Sequence, residues 1–349
     1  MTLFTNKYFP KSFDEFVGNE EIKQLVIKLI KDNIPNLIIS GSQGIGKSTL
    51  CMLMMMEYYG EKYQDFILKI YGSIERSKDT FSEYVDKKKK SSSTEIEKCS
   101  LFISKTMEIP NNKCRTIIIY DFENMMEGAQ QTLKSIMEEK SNRVRFIFIC
   151  SDASSINSAL QSRTTPLYMN QLTKEDIINK LKYISYMEGY DGKELDGETI
   201  IPHNIYETLF LLSNNNLRSA INYHQIYLLS LKMEYNNKKY ENLTYNEKID
   251  FFHRIFNIPH VSIITDIINS KSSNYNLQSL KHLLDNGFNP HDILDITTKI
   301  LQNVCSNKSN ILIDRNIKQL NIICNVYKTY LLYPNIIHIY NSYSLLALQ

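Results

Sequence analysis

The sequence has 349 residues, of which 43% are apolar and 22% are charged, and its net charge is +2. This length exceeds one simple hydrophobic core and predicts two or three domains of a soluble globular protein. A membrane-spanning protein is excluded, because no apolar run approaches the roughly 18 residues that a span needs. The first twelve residues lack the apolar core of a signal peptide, so secretion is not expected.

The near-neutral charge barely favours a nucleic-acid partner, so any DNA contact is expected to come from a local basic face. The six cysteines lie far apart, and none forms a C-x-x-C pair. Buried free thiols in a reducing compartment are therefore favoured over disulfides or zinc ligands. The histidines show no ligand spacing, so no metal site built from protein side chains alone is predicted.

Residues 1–166 alternate strand-like and helix-like segments, which predicts an α/β domain with a parallel sheet. A polar, low-complexity stretch, DKKKKSSSTE at 86–95, interrupts this pattern. Its four lysines are interpreted as part of a solvated loop rather than as a DNA-binding patch. The predicted strands are NLIIS (36–40), DFILKIYG (65–72), RTIIIY (115–120) and RFIFIC (145–150).

From Leu172 onward the pattern is helical. Thr173 is predicted to be an N-cap, with Asp176 three residues later as its capping-box partner. A second helical block covers about 203–233, and YNNKKYENLTYN has the composition of a linker. The predicted domains are an α/β domain at 1–168, a small helical domain at 169–240 and an all-helical domain at 241–349.

The stretch GSQGIGKS at 41–48 fits the phosphate-loop pattern G-x-x-x-x-G-K-[ST], between a predicted strand and a predicted helix. Its glycines let backbone N–H groups surround phosphate oxygens, and the helix start adds its positive end. Lys47 is expected to contact the β- and γ-phosphates, and Ser48 to hold Mg²⁺. The predicted nucleotide-contacting residues are Gly41, Ser42, Gln43, Gly44, Ile45, Gly46, Lys47, Ser48 and Thr49.

Five stretches follow one another along the chain: KYFPKSFDEFVGNEE (7–21), GSQGIGKST (41–49), GAQQTLKSIMEEKSNRVRFIFIC (128–150), INSALQSR (156–163) and SNNNLRSAIN (213–222). In this order they resemble the small subunits of replication factor C, the AAA+ machine that loads sliding clamps onto DNA. The resemblance extends over nearly the whole chain and implies an AAA+ P-loop domain that uses ATP and Mg²⁺. Two further stretches, at 172–190 and 280–296, resemble the family's helical lid and its all-α collar, which joins the ring.

The resemblance implies roles for two arginines. Arg163 matches the arginine of the family's Ser-Arg-Cys motif, which is inserted into the neighbouring subunit's ATP site, and Thr164 replaces the cysteine. A planar, permanently charged guanidinium suits this task, because it stabilises charge on the γ-phosphate. Arg218 matches the second-sensor arginine, which contacts the nucleotide of its own subunit. The alternatives are a solvated salt bridge for Arg163 and an exposed helix-start arginine for Arg218.

Other positions depart from the family pattern. The first-sensor position, usually asparagine, is Ser151, whose hydroxyl has a shorter reach. Phe9 replaces the arginine of the K-Y-R-P box and removes a possible nucleotide contact. In the acidic cluster after the second strand, Ile74 replaces an aspartate, while Glu75 and Arg76 remain.

The third predicted strand ends in Tyr-Asp rather than in the family's Asp-Glu. Without gaps, the magnesium-binding aspartate falls on Tyr120 and the water-activating glutamate on the shorter Asp121. A one-residue slip makes Asp121 the metal-linked aspartate and leaves Phe122 in place of the base. Both registers lose a carboxylate, so we expect ATP binding with slow or no hydrolysis, unless Glu123 moves in. The predicted catalytic residues are Arg163 (in trans), Asp121 and Glu123.

The resemblance implies the remaining partners. They are other replication factor C subunits in a hetero-oligomeric ring, a PCNA-type sliding clamp, and primer–template DNA bound without sequence preference, with no membrane involved. Of two adjacent basic positions usual at the DNA, only Lys134 is present. The expected compartment is a nucleus or a cytoplasmic viral factory. The alternatives are a self-sufficient, homo-oligomeric AAA+ DNA-remodelling ATPase and a nucleotide-dependent scaffold without DNA.

Overall fold

The structure is a computed structural model. Some predictions lie outside the residues it describes: the lysine run at 87–90, the cluster at 74–76, most of the predicted linker and the helices predicted beyond 306. The described residues are 2–31, 33–72, 113–125, 127–139, 141, 143–190, 201, 203–236, 245–256, 259, 261–269 and 273–306.

The chain divides into two compact units. The first comprises Met1–Leu181 together with Asn215–Asn222, and the second comprises Lys182–Asn214 together with Tyr223–Gln349. The finer division into three domains at 168 and 240 stays a prediction.

The first unit alternates helices and strands, as the sequence pattern predicted. Its elements in chain order are α1 (Phe4–Lys7), α2 (Glu20–Lys31), β1 (Leu37–Ser40), α3 (Lys47–Tyr59), α4 (Tyr63–Phe66), β2 (Ile67–Tyr71), β3 (Arg115–Tyr120), α5 (Glu127–Glu139), β4 (Val144–Cys150), α6 (Ser158–Gln161), β5 (Thr165–Tyr168) and the beginning of α7 (Lys174–Met187).

The five strands form one parallel sheet in the order β2-β3-β4-β1-β5. In β1 and β3 every residue is buried, because a parallel sheet is covered on both faces. The carboxyl ends of β1, β3 and β4 lie side by side, since β1 pairs with β4 and β4 with β3. The residues that directly follow these three strands therefore lie together at one edge of the sheet.

Strand β5 was not predicted. Among its four residues only Leu167 is buried, and Pro166 lacks the N–H that an inner strand would donate. Among the strands that the structure describes, this short strand pairs with β1 alone, at the edge of the sheet. A strand of this kind has neither the apolar run nor the alternation on which sequence-based prediction depends.

Two apolar layers cover the sheet. On one face, Ile118 and Tyr120 of β3 pack with the helices α2 and α3. On the other face, Ile117 and Ile119 pack with α5 and α6. The methionine run of α3 contributes Met54 and Met55 to the first layer, with no exposed surface.

The second unit is helical over its described residues. Besides the end of α7, it contains α8 (His203–Ser213), most of α9 (Leu217–Asn236), α10 (Tyr245–Phe256), α11 (Val261–Asn269), α12 (Ser273–Asp285) and α13 (Pro290–Ser306). Its core includes Ile264 and Ile267 of α11, Leu280 of α12 and Leu294 of α13.

The capping box at the start of α7 is confirmed. The backbone N–H of Asp176 donates to Thr173 Oγ1 at 3.2 Å, and the N–H of Thr173 donates to Asp176 Oδ2 at 3.1 Å. The two residues thus satisfy each other's free backbone donors. Cys51, Cys114 and Cys150 are free thiols, as predicted, and Cys51 and Cys150 are buried.

Candidate functional site

The phosphate loop lies between β1 and α3, at the sheet edge where the strands end. Gly44 has φ +72° and Gly46 φ +104°, values that side chains other than glycine rarely adopt. A Cβ on Gly44 would overlap the Asn216 carboxamide, and one on Gly46 would come within 3.1 Å of the Phe16 ring. The loop therefore requires glycine at both positions, for its turn and for the side chains packed against it.

Lys47, the first residue of α3, turns its ammonium back onto the loop. Its Nζ donates to the carbonyl of Gly41 at 2.6 Å and to that of Ser42 at 2.8 Å. Burial lowers the pKa of Lys47, and the nearby charge of Glu123 opposes this change. The cation is thus held at the entrance of a thirteen-residue helix, whose N-terminus attracts anions.

A cavity of about 610 Å³ opens above the loop. Its walls come from parts of the first unit that are distant in sequence: the amino-terminal segment, the loop, the ends of β3 and β4, α7 and the start of α9. The lining residues are Thr5, Asn6, Tyr8, Phe9, Pro10, Glu15, Phe16, Val17, Gln43, Gly44, Ile45, Gly46, Lys47, Ser48, Thr49, Met52, Asp121, Ile149, Ser151, Lys180, Asn216, Leu217, Arg218 and Ile221.

Tyr120, at the end of β3, lies in the core and does not line this cavity. Its ring stacks on Tyr71 with 5.1 Å between centroids, and its hydroxyl donates to Met52 Sδ at 3.7 Å. Burial raises the pKa of Tyr120, so the phenol is neutral at physiological pH. The side chain at the end of the strand thus packs below α3 and brings no charge to the phosphate loop.

Asp121 lines the cavity, next in sequence to the buried tyrosine. Its backbone is left-handed, with φ +50° and ψ +45°, and its side chain is exposed. This conformation is costly for most residues, although short polar side chains such as aspartate tolerate it better than others. The turn redirects the chain immediately after β3 and leaves the Asp121 carboxylate in the cavity wall.

Glu123 follows on a short 3₁₀ turn, Phe122–Asn124. Its Oε1 accepts a hydrogen bond from the backbone N–H of Ser151 at 3.1 Å. Its Oε2 is buried and has no hydrogen-bond partner in the part of the chain that the structure describes. Among the charges that act on Lys47, Glu123 has the largest effect, larger than that of Asp121. The sequence-predicted carboxylates are therefore both near Lys47, and Glu123 is also tied to the predicted first-sensor position.

Arg218, the predicted second sensor, also lines the cavity, and its positive charge lowers the pKa of Lys47. It is the second residue of α9. The helix start is fixed by Asn216, whose Oδ1 accepts the N–H of Ser219 at 3.1 Å. Ser151 and Phe9 line the same cavity. The structure thus brings both predicted sensor residues to the phosphate loop.

Arg163 lies elsewhere. It is absent from the cavity lining, and its Nη2 forms an ion pair with Glu138 Oε1 at 2.7 Å. Its Nη1 donates to the carbonyl of Ala159 at 2.8 Å. Both partners of the ion pair are substantially exposed. Within one chain, Arg163 therefore has the surface salt bridge that the sequence analysis gave as the alternative to a role in trans.

Sequence reasoning missed several cavity residues, among them Glu15, Lys180 and Asn216. Glu15 lies in the family-like stretch at 7–21 and Lys180 in the one at 172–190, but the resemblance gave neither residue a role. The helical period of α7 separates its buried positions from the rest, but it does not reveal which neighbour Lys180 faces. Asn216 had a usable signal, because asparagine before a helix start predicts an N-cap.

The residues present fit a nucleotide phosphate chain with magnesium. Gly41 and Gly44 leave the space that a Cβ would fill, and Lys47 supplies a cation. Ser48, in the first turn of α3, offers a hydroxyl oxygen, and Asp121 offers a carboxylate, both of them ligand types that Mg²⁺ prefers. In the described part of the chain, no group of three or more His, Cys, Asp or Glu side chains could hold a metal ion by itself.

The sheet order, the phosphate loop after β1 and the arginine at the start of α9 define a P-loop protein of the AAA+ class. RuvB from Thermotoga maritima, in two mutant structures, shares this fold at 15% identity. One has a TM-score of 0.53 over 75% of this chain and 80% of that chain; the other has 0.52 over 87% and 93%. No protein-family model matches the chain.

Relatives found by sequence similarity carry more specific information than these structural neighbours, which show the fold alone. Replication factor C small subunit 2 of Pyrobaculum islandicum is 31% identical over 221 residues, which are 63% of this chain and 62% of the relative. Replication factor C subunit 4 of Saccharomyces cerevisiae is 26% identical over 310 residues, or 88% of this chain and 85% of the relative. The chain is therefore similar to replication factor C small subunits over 63% to 88% of its length.

The match to the archaeal relatives is partial, since the chain spans about three-fifths of their length.

Of the helices that the structure describes, none is long and apolar enough to cross a membrane.

Proposed function

We propose that this protein is a subunit of a clamp loader, which uses ATP to load a PCNA-type sliding clamp onto primer–template DNA. The observation that carries this proposal is the phosphate loop with Lys47 folded onto it, in a chain that is similar to replication factor C small subunits. The other predicted partners, further replication factor C subunits in a hetero-oligomeric ring, are proposed on the same similarity.

In this proposal the site binds ATP with Mg²⁺. The backbone N–H groups of residues 41–49 surround the phosphates, while Lys47 and Arg218 supply positive charge. Ser48 is the magnesium ligand, and Asp121 faces the same space. The hydroxyl of Ser151 orients the water molecule near the phosphates. Bound Mg²⁺ would neutralise charge on the phosphate oxygens.

The site's own hydrolysis is weakened in this proposal. The position at which the family carries a magnesium-binding aspartate is Tyr120, whose phenol is buried against Met52. Asp121 is one methylene shorter than the family's glutamate, and a displacement of about 1 Å can by itself cost on the order of 10²-fold in rate. Glu123 is the remaining acid at this edge, and its fixed bond to Ser151 favours support of the site over proton transfer.

Single-turnover hydrolysis of bound ATP by the purified chain tests this proposal, with Lys47→Ala as control. Tight, Lys47-dependent binding without turnover is the expected result. Fast turnover that depends on Lys47 would mean that Asp121 and Glu123 form a complete catalytic site. The weakened-hydrolysis proposal would then be wrong, although nucleotide binding would stand.

Arg163 is proposed to act in trans, at the nucleotide of the next subunit. Its exposure supports this role, because the guanidinium is accessible and its ion pair with Glu138 is solvated. An arginine finger of this kind contributes roughly 10³–10⁵ in rate.

We propose that a weakly basic surface of the protein binds DNA independently of its sequence. Because phosphate contacts position a protein without reading sequence, we expect binding to weaken strongly with salt. Lys134, on α5, is the basic residue retained where the family has two. The compartment is proposed to be a nucleus or a cytoplasmic viral factory.

The mass and composition of the particle purified from its source separate a hetero-oligomeric loader from a homo-oligomeric motor, because only the former contains different chains.

A further inference from the structure

The side chain of Asn216 contacts both the phosphate loop and the helix that follows it. A Cβ on Gly44 would overlap the Asn216 carboxamide, so this group lies directly against the bare α-carbon of the loop. The Oδ1 of the same carboxamide accepts the backbone N–H of Ser219 at 3.1 Å and caps α9. One half-buried side chain therefore connects the loop to the helix that carries Arg218.

A second connection joins the same two segments of the first unit. The Nε2 of Gln171 donates to Ser42 Oγ at 3.4 Å, and its Oε1 accepts the side-chain N–H of Asn215 at 3.3 Å. The backbone of Asn215 is left-handed, with φ +59°, a conformation that asparagine tolerates better than most residues. Both bonds are long and exposed, so their own contribution is small. The close contact of Asn216 is the stronger connection.

The position of Arg218 depends on this contact. Arg218 is the second residue of α9, it lines the cavity, and its charge acts on Lys47. A charged group that binds a ligand needs support that holds it within about 0.5 Å of its working position. The contact on Gly44 gives this support, because the loop there has no side chain that could move away.

The neutral carboxamide of Asn216 also suits its place. Aspartate would cap α9 equally well, but its charge would lie against a loop that attracts anions. Serine would cap the helix too, but it is too short to rest on Gly44. Asparagine combines the cap, the reach and the absence of charge.

We propose that Asn216 is a positioning residue, which fixes Arg218 relative to the phosphate loop by lying against Gly44 while it caps α9. The inference rests on the proposed function, because it requires that the loop hold the phosphates of a nucleotide. It deepens that function, since it makes the interaction of Arg218 with phosphate depend on a contact made by a different side chain.

Isothermal titration of the full chain with MgATP tests the inference. Asn216→Ser keeps a capping oxygen but withdraws from Gly44. This variant and Arg218→Ala should each weaken binding about tenfold, the loss of one hydrogen bond to a charged group. The double variant should also bind about tenfold more weakly than the unmodified chain, because the second change removes an interaction that the first has already lost.

Asn157→Ser is the matched control. Asn157 caps α6 by accepting the N–H of Ala159 at 2.9 Å, and it lies outside the residues that line the cavity. This variant should bind MgATP as the unmodified chain does. Urea unfolding should show that the two serine variants change stability alike, which separates the contact on Gly44 from the cap.

Three results would overturn the inference. In the first, Asn216→Ser binds MgATP as the unmodified chain does. In the second, the two losses multiply, so that the double variant binds about a hundredfold more weakly. In the third, Asn216→Ser loses much more stability than Asn157→Ser, which would make Asn216 a helix cap only.

Failure of the proposed function is distinct from these results. The unmodified chain would then not bind MgATP, or Lys47→Ala would bind it as well as the unmodified chain does. The inference would be overturned together with the proposed function.

Discussion

The carboxylate of Glu123 accepts a hydrogen bond from the backbone N–H of Ser151, with 3.1 Å between Oε1 and the nitrogen. The bond joins the residues that follow β3 and β4, two neighbouring strands. It also fixes the other carboxylate oxygen, which is buried and has no hydrogen-bond partner among the described residues. A carboxylate thus lies close to Lys47 although the side chain that ends β3 is a buried tyrosine.

Removing that charge should change how nucleotide binding depends on pH. The pKa of Lys47 lies below its ordinary value of 10.5, because burial disfavours the ammonium, while Glu123 raises it again. Affinity for ATP should fall as the pH rises through the pKa of Lys47, since only the protonated form attracts phosphate. In Glu123→Gln this fall should occur at lower pH. Titrations of ATP binding between neutral and alkaline pH measure it, and an unchanged curve would contradict the role of Glu123.

Tyr120 should prove to be a core residue that cannot simply be changed back to an acid. Tyr120→Phe loses only a weak bond to Met52 Sδ and should cost less than about 1 kcal/mol of unfolding free energy. Tyr120→Asp removes the stack on Tyr71 and buries a carboxylate, so a loss of about 3–5 kcal/mol is expected. Urea unfolding of the two variants measures the difference. A stable Tyr120→Asp variant with increased ATP turnover would show that the strand end has room for a metal-binding acid.

The turn after β3 should be intolerant of a side chain at Gly72. A Cβ there would lie 2.6 Å from the carbonyl oxygen of Asp121, a backbone atom that cannot move without disturbing the end of β3. Gly72→Ala should therefore destabilise the chain by about 1–3 kcal/mol. Gly128→Ala is the control: nothing lies within 4 Å of its Cβ, and in α5 alanine should stabilise by up to about 1 kcal/mol. Thermal unfolding compares the two, and equal effects would refute the steric argument.

Much of the phosphate end of the site was predictable from sequence. The loop has a fixed spacing between a strand and a helix, and the apolar runs that form β1, β3 and β4 are long enough to predict buried strands. The alternation of side chains along β3 places Ile118 and Tyr120 on the same face. The alternation does not reveal that this face packs on α3, so the burial of Tyr120 could not be predicted without the structure.

The other end of the cavity was not predictable. Glu15 and Lys180 approach the same space from segments far apart in sequence, and no local pattern encodes such a meeting. Arg163 illustrates a different difficulty. The sequence places it in a family motif, but its ion pair with Glu138 depends on how α5 packs beside the chain that follows α6. Local signals predict elements and caps, whereas pairings between distant segments depend on the assembled fold.

The capping box of α7 offers a direct test of one such local signal. Thr173→Ala removes the acceptor for the N–H of Asp176 and should cost about 0.5–2 kcal/mol. Thr173→Ser keeps the hydroxyl and should restore most of the stability. Urea unfolding measures both variants. Equal stability of the alanine and serine variants would mean that water replaces the cap without loss.

Arg163 is the residue for which stability and function should separate most clearly. Its ion pair with Glu138 is exposed, so Arg163→Ala and Glu138→Ala should each change the unfolding free energy by no more than about 1 kcal/mol. If Arg163 acts in trans, its loss should slow ATP hydrolysis in the assembled ring by roughly 10³-fold or more at the adjoining site, without reducing ATP binding by this chain.

Glu138→Ala provides the matched control, because it breaks the same ion pair but keeps the guanidinium available. Rings assembled with each variant should therefore differ: the Glu138 variant should hydrolyse ATP at least as fast as the unmodified ring, and the Arg163 variant far more slowly. Single-turnover rates of the assembled complex give the answer. If both variants were slow, the ion pair itself would support the adjoining site. If neither were slow, Arg163 would be a surface salt-bridge residue and the role in trans would be wrong.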